Sequence, residues 1–171
     1  MTIWRIPRII LAATTLFPLG CESRPSKRTD CSVHVQPQLE SGKDLAVREM
    51  LFRLLISSRP WVGVWFIQYG SSDFGDRQDP PPDFLKRFSD LEVEVKGVSS
   101  MELGSGRTVR DRATGKRGFV AYARVVRWID SSTAEVVFGC FRESEASSQA
   151  EGVVHLEEGK WMLTDEKWSD S

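Results

Sequence analysis

Histidine and cysteine are scarce in this sequence, with two His and three Cys in 171 residues. A structural zinc site takes four such ligands at characteristic close spacings, and Cys31, His34, Cys140 and His155 follow none of them. Acidic pairs such as Glu157-Glu158 and Asp79 with Asp83 lack the ligand density of a calcium loop, so no metal is expected. An excess of one charge is also missing: 23 Lys and Arg stand against 24 Asp and Glu, for a net −1. Nothing in that balance points to a nucleic-acid partner. Gly104-Ser105-Gly106 has neither the Lys-Thr that completes a phosphate loop nor the setting of a dinucleotide fold, so no cofactor is expected. What is abundant is core material. Hydrophobic residues make up 40% of the chain, with nine Phe and six Trp, enough for one folded domain and against wholesale disorder.

The first twenty residues hold Arg5 and Arg8 but no acid, and then an apolar stretch, Ile9 to Leu19, broken only by Thr14, Thr15 and Pro18. Crossing a bilayer takes roughly 20 apolar residues, and this run is about half as long. It fits the hydrophobic segment of an export signal behind a positive start. The run ends in Pro18-Leu19-Gly20-Cys21 and turns abruptly polar. Gly20-Cys21 resembles the lipobox of bacterial lipoprotein signals, where a small residue precedes a cysteine that becomes the lipidated N-terminus; Pro18 stands where that pattern has Leu. The expected organisation is a lipoprotein-type signal over 1–20, a polar tether over 21–42 and a single domain over 43–171. Cys21 would carry an acyl anchor, and the tether would hold the domain within a few tens of Å of the membrane. The localisation implied is the cell envelope, lipid-anchored or secreted.

With Cys21 lipidated, Cys31 and Cys140 remain as an even pair in an oxidising compartment, and are candidates for a disulfide. The alternative is a buried free thiol, which suits Cys140 with Phe138, Gly139 and Phe141 around it.

Along the domain, Ser41-Gly42-Lys43-Asp44 reads as a helix start, and apolar residues at 47, 50, 51, 54 and 55 mark a helical stripe that Pro60 ends. Trp61–Tyr69 is almost wholly apolar and reads as a strand covered on both faces. Pro80-Pro81-Pro82 leads into a short helix over 83–88. Strands follow at 92–98, 119–129 and 133–142, with a polar loop over 143–149. A closing hairpin of 152–156 and 160–168 turns at Glu157-Glu158-Gly159. The fold class expected is α+β: one main N-terminal helix and a short helix on a curved antiparallel sheet of about five or six strands.

The closing string GVVHLEEGKWMLTDEKWSDS, the RDRATG turn at Arg110–Gly115, Arg127–Asp130 and the DPPPDFLKRF segment at 79–88 together resemble a group of small, uncharacterised bacterial secreted proteins and lipoproteins. The likeness covers roughly residues 45–168 and carries structural turns and Trp positions, with no activity to transfer. More remotely, a helix followed by a curved sheet is similar to NTF2-like and cystatin-like folds, which implies a cone able to hold a small ligand.

Candidate ligand contacts are His155, Trp168, Arg124 and Arg127. His155 lies mid-strand, where a carboxylate across the sheet would make it a general base; a half-buried hairpin His is the plainer reading. Trp168 is the Trp expected to be exposed, and an exposed Trp face stacks on sugars or peptides; Trp65 and Trp161 are expected in the core. Residues 107–127 hold seven bases and one acid, whereas 130–171 hold ten acids and three bases. The basic block suits an anionic envelope polymer, a lipid headgroup or an acidic envelope protein. Alternatively the two blocks pair across neighbouring strands. No catalytic set emerges. The functional expectation is an envelope-tethered, non-enzymatic domain that binds a partner or small ligand. The alternatives are a small cone-shaped enzyme using His155 with a carboxylate, and a purely structural envelope accessory.

Overall fold

The structure is a computed structural model that describes residues 42–69, 77–143 and 146–170. All of them belong to one compact unit, Pro37–Ser171. The signal, most of the tether, Cys21, Cys31 and His34 lie outside the described residues.

Helix α1 (Gly42–Ser57) buries Val47, Arg48, Leu51, Phe52, Leu55 and Ile56, the three-and-four spacing of one helix face. Asp44 lies in its first turn, where the helix dipole favours a negative charge, and also accepts a hydrogen bond from Trp128 Nε1 at 2.8 Å. The last turn closes with Ser58 Oγ donating to the Leu55 carbonyl at 2.7 Å. Arg48 is buried in the stripe without leaving its charge unmet: Nη1 donates to the Ala123 carbonyl at 2.7 Å, and the guanidinium lies 4.6 Å from the Tyr69 ring centre. Helix α2 (Pro82–Lys86) brings Phe84, and the turn after it Phe88, onto Phe52. Around this contact Arg53 bonds Glu49, Asp90 and the Arg87 carbonyl, and Arg87 bonds Glu49 at 2.9 Å.

The main sheet has six strands in the order β2-β1-β5-β6-β7-β8: β1 (Val64–Gln68), β2 (Glu94–Gly97), β5 (Phe119–Trp128), β6 (Thr133–Glu143), β7 (Ala146–Glu157) and β8 (Lys160–Asp170). β3 (Met101–Leu103) and β4 (Val109–Asp111) form a separate pair. The fold is α+β as expected, with a main helix, a short helix and a six-stranded sheet. The sheet is mixed and not purely antiparallel, because β1 runs parallel to both β2 and β5. Parallel neighbours need long connections, and here those connections carry α2 and the β3–β4 pair. Every residue of β1 is buried. Trp65 and Ile67 enter the helix-side core, while Val64 and Phe66 enter a second core with Val98, Met101 and Val109 beneath the β3–β4 pair.

Within the stretch 143–149, expected to be a polar loop, residues 146–149 are strand. Strand β7 starts at Ala146, and Ser147, Ser148 and Gln149 pair with Phe141, Cys140 and Gly139. Their polar side chains do not oppose a strand, since Gln149 Oε1 accepts from the Tyr122 hydroxyl at 3.1 Å. Register shifts at Val125/Arg127, Phe141/Glu143 and Glu151/Val153 mark bulges, which bend their strands.

Two of the recognisable sequence segments are structural. Asp79 accepts from the Ser99 N–H at 2.7 Å and from its hydroxyl, and a Cβ on Gly97 would lie 2.6 Å from Asp79 Oδ1, so a side chain there would displace the carboxylate from these bonds. In the Arg110–Gly115 turn, Asp111 is 0% exposed; its Oδ2 accepts from Thr114 Oγ1 at 2.5 Å and from Lys96 Nζ at 3.1 Å. The Thr114 hydroxyl first, and then Lys96, hold the Asp111 carboxyl below the usual carboxylate range. A depressed folded value stabilises the protein above the unfolded value, about 4, and that contribution disappears as pH falls through the folded value. The thermal midpoint should therefore drop on acidification below about pH 4, and Asp111→Asn should flatten that drop. An Asp111→Asn protein with an unaltered pH profile would contradict this role.

Candidate functional site

The four candidate contacts do not converge. Arg124, Arg127 and His155 lie on the sheet face that the helices leave open, and Trp168 lies on the helix side near one end. Three rows cross the open face: Arg124–Val137–Glu151–Lys167, Arg127–Glu135–Val153–Thr164 and Thr133–His155–Met162. His155 Nδ1 stands 3.3 Å from Thr133 Oγ1, and among the described residues no carboxylate bonds to its ring. The space between helices and sheet is filled by Leu51, Phe52, Trp65, Phe138 and their neighbours, so among the described residues no cone opens there.

A groove of about 440 Å³ does cross the open face, lined in part by Arg124, Val137, Glu151, Asp165 and Lys167. Asp165 adopts φ 53 beside the β7–β8 bulge, a left-handed conformation that Asp tolerates better than most residues. Signs alternate along the groove. Arg127 grips Glu135 in two bonds of 2.7 and 2.6 Å, which raises the arginine's pKa and lowers the carboxyl's. Here the basic and acidic blocks meet across neighbouring strands. The rest of the basic block is elsewhere: Arg110 and Arg112 hydrogen-bond the carbonyls of Gly115 and Met101 in and around the β3–β4 pair. Mixed signs paired on an open face describe a solvated surface.

The other concentration of chemistry is at the end of the sheet where β1 and β5 begin. The chain leaves α1 through a tight turn, with Arg59 N–H bonded to the Ile56 carbonyl at 3.1 Å and Val62 N–H to the Arg59 carbonyl at 3.2 Å. That turn drives Val62 into the core (5% exposed) and swings Trp61 outward (75% exposed). β1 starts only at Val64, so Trp61 precedes the strand assigned to it from sequence. Leaving so much indole in water forgoes on the order of 3–5 kcal/mol of burial free energy. Trp61 shares a cleft of about 450 Å³ with Ser58, Arg59, Ser148 and Trp168. The Trp168 ring rests edge-on against Phe138, 5.5 Å between centres and 80° between planes, and remains 44% exposed. Arg59 Nη1 donates to Ser58 Oγ at 3.0 Å. Beneath lies Cys140, a buried free thiol whose pKa burial pushes up, opposed in part by Arg59. Two indoles, two hydroxyls and a guanidinium can stack on a ring and bond its polar edge.

Trp61 is the functional candidate that sequence reasoning missed. Its signal was present in Pro60 just before it and Gly63 just after, both poor company for a central strand. Among the described residues no cluster of three His, Cys, Asp or Glu is placed to hold a metal ion, and no helix is long and apolar enough to cross a membrane. The molecule is thus an α+β domain with an aromatic and cationic cleft at one end. Compared with family models, curated proteins and solved structures, the chain matches none.

Proposed function

We propose that the chain is an exported, envelope-tethered binding protein, anchored through lipidated Cys21, whose domain holds a ring-bearing ligand without chemical turnover between Trp61 and Trp168. The observation that carries the reading is the exposure of Trp61 at 75% in the same cleft as Trp168. Stability alone would favour burying the indole, and Ser58, Ser148 and Arg59 supply the polar contacts that fix a ligand's orientation. Envelope saccharides combine flat ring faces with hydroxyl edges, which this cleft complements. The leader and the Gly20-Cys21 pair support the location, as does the likeness to small secreted proteins and lipoproteins.

Binding of the full chain to purified envelope polysaccharide, followed by tryptophan emission, tests the reading. Because Trp61 lies in water, occupancy should shift its emission to shorter wavelength. Trp61→Ala should weaken binding about tenfold, the equivalent of roughly 1.4 kcal/mol, and adding Trp168→Ala should abolish it. A double variant that binds as the parent does would dispose of the cleft as the site. Fatty-acid labelling of cells tests the anchor, which requires label on the parent and none on Cys21→Ser.

A further inference from the structure

The surroundings of Trp61 extend beyond that cleft. On its other side lies a second groove of about 190 Å³, which Trp61 shares with Thr108, Arg117, Arg142 and Glu143. One indole therefore forms a wall common to these two recesses, and it also borders a third hollow with Pro60, Leu91 and Glu92; a single ring can occupy only one of them. The cations here differ from the carboxylate-paired arginines elsewhere in the fold. Arg53, Arg87 and Arg127 each hold a carboxylate at 3.1 Å or closer. Arg59 and Arg117 hold none among the described residues, and Arg142 reaches only Glu143, at 3.8 Å. Of the residues lining the two recesses, Glu143 is the sole acid against these three arginines. Unmet positive charge spans both sides of an exposed ring-stacking residue.

We infer that this end of the domain takes an extended anionic polysaccharide, which crosses Trp61 with ring faces on Trp61 and Trp168 and acid groups on Arg59, Arg117 and Arg142; the inference rests on the cleft assignment above and specifies its ligand. A neutral glycan leaves the guanidinium groups unmatched. A flat lipid surface fails to fill recesses that carry hydroxyls from Ser58, Ser148 and Thr108. Length matters because the second recess is reached only by a chain that continues past Trp61.

The test titrates the full chain with galacturonate oligomers from dimer to hexamer, with chitohexaose as the uncharged counterpart and with phosphatidylglycerol vesicles, following tryptophan emission. The galacturonate hexamer should bind at least about tenfold more tightly than both its dimer and chitohexaose, and added salt should weaken it. Arg117→Ala/Arg142→Ala, with both side chains exposed and the thermal midpoint checked against the parent, should cost the hexamer about tenfold more than the dimer. A hexamer no better than a dimer, or chitohexaose binding as well as galacturonate, overturns the anionic-polymer inference while leaving the cleft intact. Vesicles binding where no oligomer does would overturn it in favour of a membrane-facing tip. Silence from every glycan overturns the cleft assignment itself.

Discussion

Phe52→Ala should remove about 3–5 kcal/mol of stability and lower the thermal midpoint by roughly 10–15 °C, as measured by thermal and urea unfolding of the purified chain. Phe52 is 0% exposed. Its ring meets Phe84 and Phe88 edge-to-face, with centres 6.0 and 6.3 Å apart, so deletion opens a cavity where α1, α2 and the sheet come together. Domains of this kind hold about 5–15 kcal/mol in total, so one truncation consumes a large fraction. The polar contacts beside it do not compensate. Arg53 and Glu49 are partly exposed and Asp90 more so, and exposed pairs contribute about 1 kcal/mol or less. Arg53→Ala should accordingly do far less damage than Phe52→Ala. If the two cost the same, α1 and α2 would be joined by charge and not by ring packing.

The main helix was legible because its apolar spacing survives even with a buried arginine in the stripe, and the β5–β6 and β7–β8 hairpins because turn residues flank long β-prone runs. The direction of β1 was not legible. Whether an apolar run pairs parallel or antiparallel depends on distant partners, here Val95 and Phe119 beside Trp65, and not on its own composition. The start of β7 was hidden for a related reason. Ser147, Ser148 and Gln149 have little strand preference, and their conformation is imposed by β6 on one side and β8 on the other. At the candidate site, Trp168 could be picked out by its position near the chain's end. Trp61 was masked by the buried run that follows it: Pro60 and Gly63 mark a break there, but a one-dimensional pattern does not reveal which way the chain turns at Arg59 to Val62. On the cationic side, the dense basic block drew attention to Arg124 and Arg127, whereas the arginines without close carboxylates beside Trp61 are Arg117, from the same block, and Arg59, far from it in the chain.

That dependence on imposed strand pairing gives the second large effect, at Gly139. Gly139 pairs with Tyr122 on β5 and with Gln149 on β7, and the Tyr122 hydroxyl reaches over it to Gln149. A Cβ at this position would press on the Ser148 carbonyl oxygen and stand 2.6 Å from the Tyr122 hydroxyl. Gly139→Ala should therefore cost about 3 kcal/mol, the upper end for overpacking, and Gly139→Val should leave little folded protein. Removing the hydroxyl does not relieve the clash. Tyr122→Phe alone loses one hydrogen bond, about 1 kcal/mol, and Gly139→Ala/Tyr122→Phe should be no more stable than Gly139→Ala, since the Ser148 oxygen belongs to the β7 backbone and has no rotamer to adopt. Recovery in the double variant would place the constraint in the ring and not in the strand. The same displacement reaches the binding end, because Ser148 lines the cleft and β7 positions Trp168 through Ala150. Folded Gly139→Ala protein should therefore bind galacturonate hexamer more weakly than the parent at equal fractions folded, which ties the spacing of β6 and β7 to the geometry of the end where β6 also places Arg142.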